Sequence, residues 1–227
     1  MTKIHEFGES YEMYLKAVRE LAQPEGPVPV TALAERLGVA TVSASEMVHR
    51  LQDQGLIEHE PYKGVRLTGE GQIVADRVLR SHRLWERFLV DSLGLDWAAS
   101  HDFACELEHL ADPQVVDALD TLLGNPDTCP HGNPITEEAE TTLSEDVATL
   151  DRLEPGDLAI VLAVRPESSS VLEAVREKQL LPGATVELLD IELFDGPRQL
   201  LVGGRREVVG VGLASHVVVR RGNDGRE

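Results

Sequence analysis

Cysteine is scarce in this sequence, and no apolar run is long enough to cross a membrane. The two cysteines, Cys105 and Cys129, cannot build a disulfide framework, and 42% hydrophobic residues among 227 suffice for cores without cross-links. A membrane helix needs about 18 apolar residues in succession, and the N-terminus holds no apolar stretch behind a basic region. We therefore expect a cytoplasmic protein with no membrane partner.

Basic residues are also few, which counts against nucleic acid as a partner. The chain has 21 Lys and Arg against 40 Asp and Glu, and its formal net charge is −19. The acidic excess is uneven, because residues 1–80 carry nine basic and twelve acidic residues, whereas the rest of the chain carries twelve and 28. The objection to a DNA partner therefore weakens for the N-terminal segment.

The first 70 residues have the pattern of a winged helix-turn-helix. Apolar spacing predicts helices over 9–22, 31–37 and 41–54, followed by strands over 55–60 and 64–68. Two short helices joined by the turn G-V-A-T are typical of a helix-turn-helix. The turn P-Y-K-G between the strands predicts a β-hairpin wing. The alternative is a generic helical bundle with a hairpin.

Helices continue after the wing and then give way to strands. We expect a long helix from Thr68 to Leu93, a helix over 98–111 and an amphipathic helix capped by Asp112, whose surplus apolar surface indicates a dimer interface. A loop, N-P-D-T-C-P-H-G-N-P-I, and an acidic segment follow. Beyond them we predict four strands, at Leu158–Val164, Thr185–Leu189, Gln199–Val202 and His216–Arg220. One short helix at 170–180 is predicted between the first and second of these strands.

These patterns predict a mainly α protein with a small β domain, of the α+β class. We divide the chain into a winged helix-turn-helix DNA-binding domain at 1–72, a helical metal-binding and dimerisation domain at 73–140 and a linker at 141–153. A small β-barrel of roughly 70 residues is expected at 154–223.

Residues 101–109, which read H-D-F-A-C-E-L-E-H, hold a dense set of metal-ligating side chains. Helical spacing of three or four residues would place Cys105, Glu108 and His109 on one face of their helix. The same spacing would place His82 and Glu86 on one face of the preceding helix. Mixed sulfur, nitrogen and oxygen donors suit a divalent first-row transition metal and disfavour calcium or magnesium. Solvated or interhelical polar residues are the alternative reading of this pattern.

The order of these pieces resembles the diphtheria-toxin-repressor family of iron- or manganese-dependent regulators. The resemblance rests on a winged helix-turn-helix, then H-R-L-W-E and H-D-F-A-C-E-L-E-H, then P-H-G-N-P-I and a small barrel, and it covers nearly the whole chain. It implies that the barrel is SH3-like or FeoA-like, and that the protein is a homodimeric repressor that is not an enzyme and has no small organic substrate. A palindromic double-stranded DNA operator and two Fe(II) or Mn(II) corepressor ions per subunit are also implied.

The resemblance also implies two sets of ligands. The primary set is Met13, Cys105, Glu108 and His109, and the ancillary set is His82, Glu86 and His101, with Glu167 as the best candidate from the barrel. The softness of Met13 and Cys105 as ligands favours Fe(II). We expect the loop containing Cys129 and His131 to be structural, so that Cys129→Ala behaves as the wild type.

The winged unit supplies the predicted DNA contacts. On the recognition helix, Thr41, Ser43, Ser45 and Glu46 are expected to touch bases or phosphates, and the phosphate contacts are expected from Arg50, Lys63 and Arg66. Two other functions remain open from the residues alone. One is a metalloenzyme, although the H-E-x-x-H type of motif is absent, and the other is a winged-helix sensor of an organic ligand.

Overall fold

The computed structural model describes residues 8–22, 26–109, 112–136, 139 and 147–222. The chain divides into two units, the first with residues 1–82 and 107–116, and the second with residues 83–106 and 117–227. The first part of the predicted linker, 141–146, lies outside the described residues. Among the helices that are described, none is long and apolar enough to cross a membrane.

The first unit contains a winged helix-turn-helix. Helix α1 (Glu9–Leu21) precedes α2 (Val30–Leu37) and α3 (Thr41–Asp53), and strands β1 (Ile57–Glu60) and β2 (Gly64–Leu67) form an antiparallel hairpin. The three helices and the hairpin share one apolar core because each presents its periodic apolar face inward. Its fully buried members include Leu15, Leu33, Val48, Leu51 and Val65.

Glycines allow two close turns in this unit. Gly38 ends α2 with φ 65°, and its N–H donates to carbonyl groups of the last helical turn. Gly64 opens β2 with φ 138°, where a Cβ atom would lie 2.2 Å from the Val28 carbonyl oxygen. The backbones of Val28 and Val65 exchange two hydrogen bonds of 2.8 Å. The segment before α2 therefore packs directly on the wing.

Three helices follow the wing: α4 (Gly69–Asp91), α5 (Ser100–Leu107) and α6 (Pro113–Leu122). The sequence predicted that the middle helix would run over 98–111, but it ends at Leu107, and Glu108 and His109 lie in a turn. Tertiary contacts hold this turn instead, because Glu108 binds Lys16 and His109 binds Glu12. Glu108 and His109 therefore do not continue the helix face of Cys105.

The β domain of the second unit consists of six strands and two short helices. In chain order they are β3 (Val147–Thr149), β4 (Leu158–Val164), α7 (Ser169–Glu177), β5 (Thr185–Ile191), β6 (Arg198–Val202), β7 (Arg205–Val209), α8 (Val211–Ala214) and β8 (Val217–Arg221). The strands form one antiparallel sheet in the order β3-β8-β4-β5-β6-β7. Its core is formed by the alternating inward residues of the strands, such as Val161, Leu188, Leu200 and Val219.

The loop containing P-H-G-N-P-I packs against β4 within the second unit. Gly132 has φ 85°, and a Cβ atom there would lie 1.9 Å from the Leu162 carbonyl oxygen. The His131 carbonyl accepts from the Val164 N–H at 3.0 Å, and the Asn133 side-chain amide donates to the Val164 carbonyl at 2.8 Å. This contact places Cys129 and His131 next to the β domain.

Candidate metal centres and nucleic-acid interface

A buried ionic cluster lies in the first unit, and we call it the Glu108 cluster. It consists of Lys16 on α1, His82 on α4 and Glu108 in the turn after α5. Lys16 Nζ and His82 Nδ1 each lie 2.6 Å from Glu108 Oε2. Burial alone would raise the pKa of Glu108, but the charges of Lys16 and His82 outweigh this effect and lower it. The Glu108 carboxylate is therefore held in its charged form.

His109 is oriented towards the other oxygen of Glu108. Its Nδ1 lies 2.8 Å from Glu12 Oε2, and its Nε2 lies 3.3 Å from Glu108 Oε1. Glu12 Oε1 accepts from Arg77 at 2.6 Å, which fixes the carboxylate. A carboxylate can only accept here, so Nδ1 carries the proton and Nε2 is the nitrogen presented beside Glu108. Burial would lower the pKa of His109, but the Glu12 hydrogen bond and the charge of Glu108 raise it.

The predicted primary ligands are divided between the units. Glu108 and His109 come together in the first unit, as described, and Met13 belongs to the same unit, on α1 and 42% exposed. Cys105 belongs to the second unit, where its Sγ lies 3.8 Å from His101 Nε2.

A second group of ligand-type side chains is buried in the second unit, and we call it the Cys129 cluster. Glu86 comes from α4, Cys129 and His131 from the loop, and Glu167 from the segment between β4 and α7. One potential ligand atom from each lies within 4.8 Å of all the others, and all four residues are buried. His131 Nδ1 is 3.0 Å from Glu86 Oε1 and 3.5 Å from Glu167 Oε1.

Backbone contacts fix which nitrogen of His131 faces this cluster. His131 Nε2 donates to the Trp97 carbonyl at 2.8 Å, so Nδ1 points towards the carboxylates. The Trp97 ring packs edge-on against the imidazole with centroids 4.6 Å apart, and its indole N–H donates to the Pro130 carbonyl at 2.9 Å. The imidazole is thus held with Nδ1 ready to ligate a cation.

Three predicted ancillary residues join the same region of the second unit. Ligand atoms of Glu86, His101 and Glu167 lie within 4.8 Å of one another. His101 Nδ1 is 3.1 Å from Glu86 Oε1 and 3.4 Å from Glu167 Oε2. The fourth predicted member, His82, belongs to the first unit, where it contacts Glu108.

A cation bound at the Cys129 cluster would replace the protons on Cys129 and His131. Burial, together with the negative charges of Glu86 and Glu167, raises the pKa of the Cys129 thiol to about 12. Burial would lower the pKa of His131, but the same two carboxylates raise it. Two adjacent buried carboxylates require a compensating cation, and one thiol, one imidazole and two carboxylates are a donor set that fits a first-row transition metal.

The sequence favoured a structural role for Cys129 and His131 over metal ligation. The loop does pack on β4, but it also places both side chains against Glu86 and Glu167. The only local signal was the spacing of Cys129 and His131 in C-P-H, within a turn-forming loop. The sequence did not indicate that Glu86 and Glu167 join them, because these two residues lie far away in the chain. Glu12 and Lys16 were also missed, although two charged residues on the apolar stripe of α1 were a signal.

The predicted DNA-reading face of α3 is the solvent face of that helix. Thr41, Ser43, Glu46 and Arg50 are exposed and Ser45 is half-buried, whereas Ala44, Val48 and Leu51 are buried. On the wing, Lys63 Nζ lies 2.9 Å from Glu60 Oε2, and Arg66 Nε lies 3.7 Å from Glu60 Oε1. The wing tip carries a fully exposed Tyr62. The face is thus polar and open, with cations at its edge.

Comparison with known proteins gives the family. Family models match consecutive parts of the chain: the iron dependent repressor N-terminal DNA binding domain at 6–65, the iron dependent repressor metal binding and dimerisation domain at 68–137, and the FeoA domain at 148–221. The diphtheria toxin repressor of Corynebacterium diphtheriae is 32% identical over 190 residues, which are 83% of this chain and 82% of that protein. The chain belongs to the diphtheria-toxin-repressor family.

Other relatives agree with this membership. The diphtheria toxin repressor of Corynebacterium efficiens is 39% identical over 139 residues. The matched region is 61% of this chain and spans 60% of that relative's length. A solved structure described as a manganese-dependent transcriptional repressor in complex with manganese superimposes with a TM-score of 0.81 at 29% identity, covering 93% of this chain and 99% of that one.

Family membership confirms several predictions made from the sequence. It confirms the α+β class, with a helical DNA-binding domain, a helical dimerisation domain and a FeoA-like β domain. It also agrees with the prediction of an iron- or manganese-dependent regulator rather than an enzyme. The DNA-binding and dimerisation models agree with DNA and a second copy of the chain as partners.

Proposed function

We propose that this protein is a homodimeric repressor that binds DNA when it holds Fe(II) or Mn(II). The observation that carries the proposal is the Cys129 cluster, in which four buried side chains present sulfur, nitrogen and oxygen to one point. A buried set of this kind has no role in reading DNA, and its mixed donors suit iron or manganese. The relatives named above, which are described as repressors, support the DNA-binding half of the proposal.

We infer two ions per chain. Glu86, Cys129, His131 and Glu167 would hold one, with His101 beside them, and Glu108 with His109 would hold the other. From the family resemblance we also propose Met13 and Cys105 as metal ligands. A divalent ion at the Cys129 cluster supplies positive charge in place of the protons on the thiol and imidazole, and so satisfies the two buried carboxylates.

The Glu108 cluster offers a link from metal to DNA within the first unit. Its residues connect α1 with the segment that follows α5. Helix α1 belongs to the apolar core that also holds the recognition helix α3. Ligation by Glu108 and His109 would therefore steady the winged helix-turn-helix through α1. By reciprocity, DNA should tighten metal binding by the same factor.

A two-fold dimer of this kind calls for a palindromic operator. Two recognition helices meet successive major grooves only when they lie about 34 Å apart, one turn of DNA. Thr41, Ser43, Ser45 and Glu46 would read bases or phosphates, while Arg50, Lys63 and Arg66 would contact phosphates. Glu46 can accept a hydrogen bond from cytosine N4, which favours cytosine at the position it reads.

We propose that DNA binding belongs to residues 1–72, metal binding and dimerisation to 73–140, and the β domain to 154–223 after a linker at 141–153. We also propose a cytoplasmic protein, because reducing conditions would keep Cys105 and Cys129 available as thiols.

The test is a mobility-shift titration of metal-free protein with DNA carrying its own promoter. Fe(II) or Mn(II) should produce a retained complex, and excess chelator should abolish it. Equal affinity for the promoter with and without chelator would contradict the proposal. Retention that responds to an organic ligand instead of a metal would favour a sensor of that ligand, and turnover of a substrate would favour a metalloenzyme.

A further inference from the structure

Lys16 is a buried lysine that the proposed metal chemistry does not use. Its side chain is 7% exposed, and its Nζ lies 2.6 Å from Glu108 Oε2 and 3.1 Å from His82 Nδ1. Lysine is almost never fully buried unless it is paired. Both contacts are with side chains of the metal-ligating type, so an ammonium stands where a carboxylate oxygen and an imidazole nitrogen converge.

The two oxygens of Glu108 face different partners. Oε2 lies against Lys16 and against His82, whereas Oε1 lies 3.3 Å from Nε2 of His109. A carboxylate in this arrangement can serve two cations, one at each oxygen. The ammonium serves Oε2, and the pair formed by Oε1 and His109 is presented to a metal ion.

We propose that Lys16 is a built-in cation that fills one of two cation positions at the Glu108 cluster and limits this cluster to a single metal ion. The inference rests on the proposed function, since it takes Glu108 and His109 as metal ligands. The ammonium is tethered to α1, so it neutralises Glu108 whether or not metal is present. It also repels an ion at Oε1, so the cluster binds metal more weakly than the same ligands would without the lysine.

The test counts the Mn(II) ions bound by the metal-free full-length chain, from the electron paramagnetic resonance signal of the free ion. Lys16→Glu replaces the ammonium with a carboxylate and should bind one Mn(II) more per chain than the wild type. Lys16→Met keeps an apolar stem without the charge, and should bind the wild-type number with about tenfold higher affinity at one site. Mn(II) should raise the thermal midpoint of both variants more than that of the wild type, because Glu108 has lost its counter-charge.

Arg19→Glu is the matched control. It makes the same charge reversal about one turn further along α1, where Arg19 Nε lies 3.0 Å from Asp76 Oδ1, and it should keep the wild-type number of ions.

An unchanged number of ions in Lys16→Glu, or failure of that variant to fold in saturating Mn(II), would overturn the proposal. Unchanged affinity in Lys16→Met would also overturn it. A wild type that binds no Mn(II) would instead refute the proposed function itself, and this inference with it.

Discussion

At the scale of single residues, each cluster depends on a neighbour that fixes an imidazole. The Trp97 carbonyl accepts a hydrogen bond from Nε2–H of His131, and the Glu12 carboxylate accepts one from Nδ1–H of His109. Each contact leaves the opposite nitrogen facing carboxylates. Groups that orient a ligand in this way commonly change metal affinity by 10- to 100-fold when they are removed, on the order of 1.4 to 2.7 kcal/mol.

Glu12→Ala should therefore weaken one Mn(II) site by about 10- to 100-fold while leaving the number of ions unchanged. The imidazole of His109 would lose the acceptor that sets its tautomer. Isothermal titration with Mn(II) gives both quantities. Glu35→Ala, on the neighbouring helix α2 and exposed, is the control and should match the wild type. Wild-type affinity in Glu12→Ala would show that Glu12 does not orient a ligand.

At the scale of elements, the loop that holds Cys129 is defined by its contact with β4. Gly132 is the residue that makes the contact close, because its φ of 85° and the nearby Leu162 carbonyl leave no room for a side chain. The loop then delivers Cys129 and His131 from one side of the cluster, while Glu86 comes from α4 and Glu167 from beyond β4.

Gly132→Ala should lower the free energy of unfolding of the metal-free protein by at least about 3 kcal/mol, since strain at positive φ adds to a backbone clash. Gly156→Ala separates the two causes. Its φ is 95° and no atom lies within 4 Å of the added Cβ, so only strain applies, and a loss of about 1–2 kcal/mol is expected. Chemical denaturation measures both losses. Equal losses in the two variants would mean that the contact with β4 is not close.

The recognition helix and wing make an element-scale prediction about salt. Arg50→Ala and Lys63→Ala should each flatten the slope of log affinity against log salt by about 0.9 per subunit bound, since each removes one phosphate contact. Arg152→Ala, with a side chain 77% exposed in the second unit, should leave the slope unchanged. Salt titrations of promoter binding test this. Unchanged slopes in Arg50→Ala and Lys63→Ala would show that this face does not bind DNA.

At the scale of the whole molecule, the sequence predicted the features that local patterns encode and missed those that depend on contacts between residues distant in the chain. The long helices, the wing and the order of motifs follow from local periodicity and turns, so they were predictable. Strand β3 has only three residues, and β7 begins with two exposed arginines, so period two did not reveal them. The Cys129 cluster joins residues from α4, a loop and the β domain, and no local pattern encodes that meeting.

Metal binding should release protons and strengthen as the pH rises. In the metal-free protein the raised pKa of about 12 keeps Cys129 protonated, and the carboxylates keep His131 protonated at neutral pH. A metal ion must displace both, so about two protons per ion are expected at the Cys129 cluster, and affinity should fall as the pH drops. Calorimetric titration in buffers of different ionisation enthalpy counts the protons. Release of none would contradict the assignment of Cys129 and His131 as ligands.

The most direct test of the account is promoter retention measured against free Mn(II) for wild-type protein and Cys129→Ala. Removal of a buried ligand predicts that Cys129→Ala needs at least about tenfold more Mn(II) for half-maximal retention, while sedimentation shows the same dimer. Coincident Mn(II) curves for the two proteins, as expected if the loop is only structural, would contradict the claim that the Cys129 cluster holds the metal that controls DNA binding.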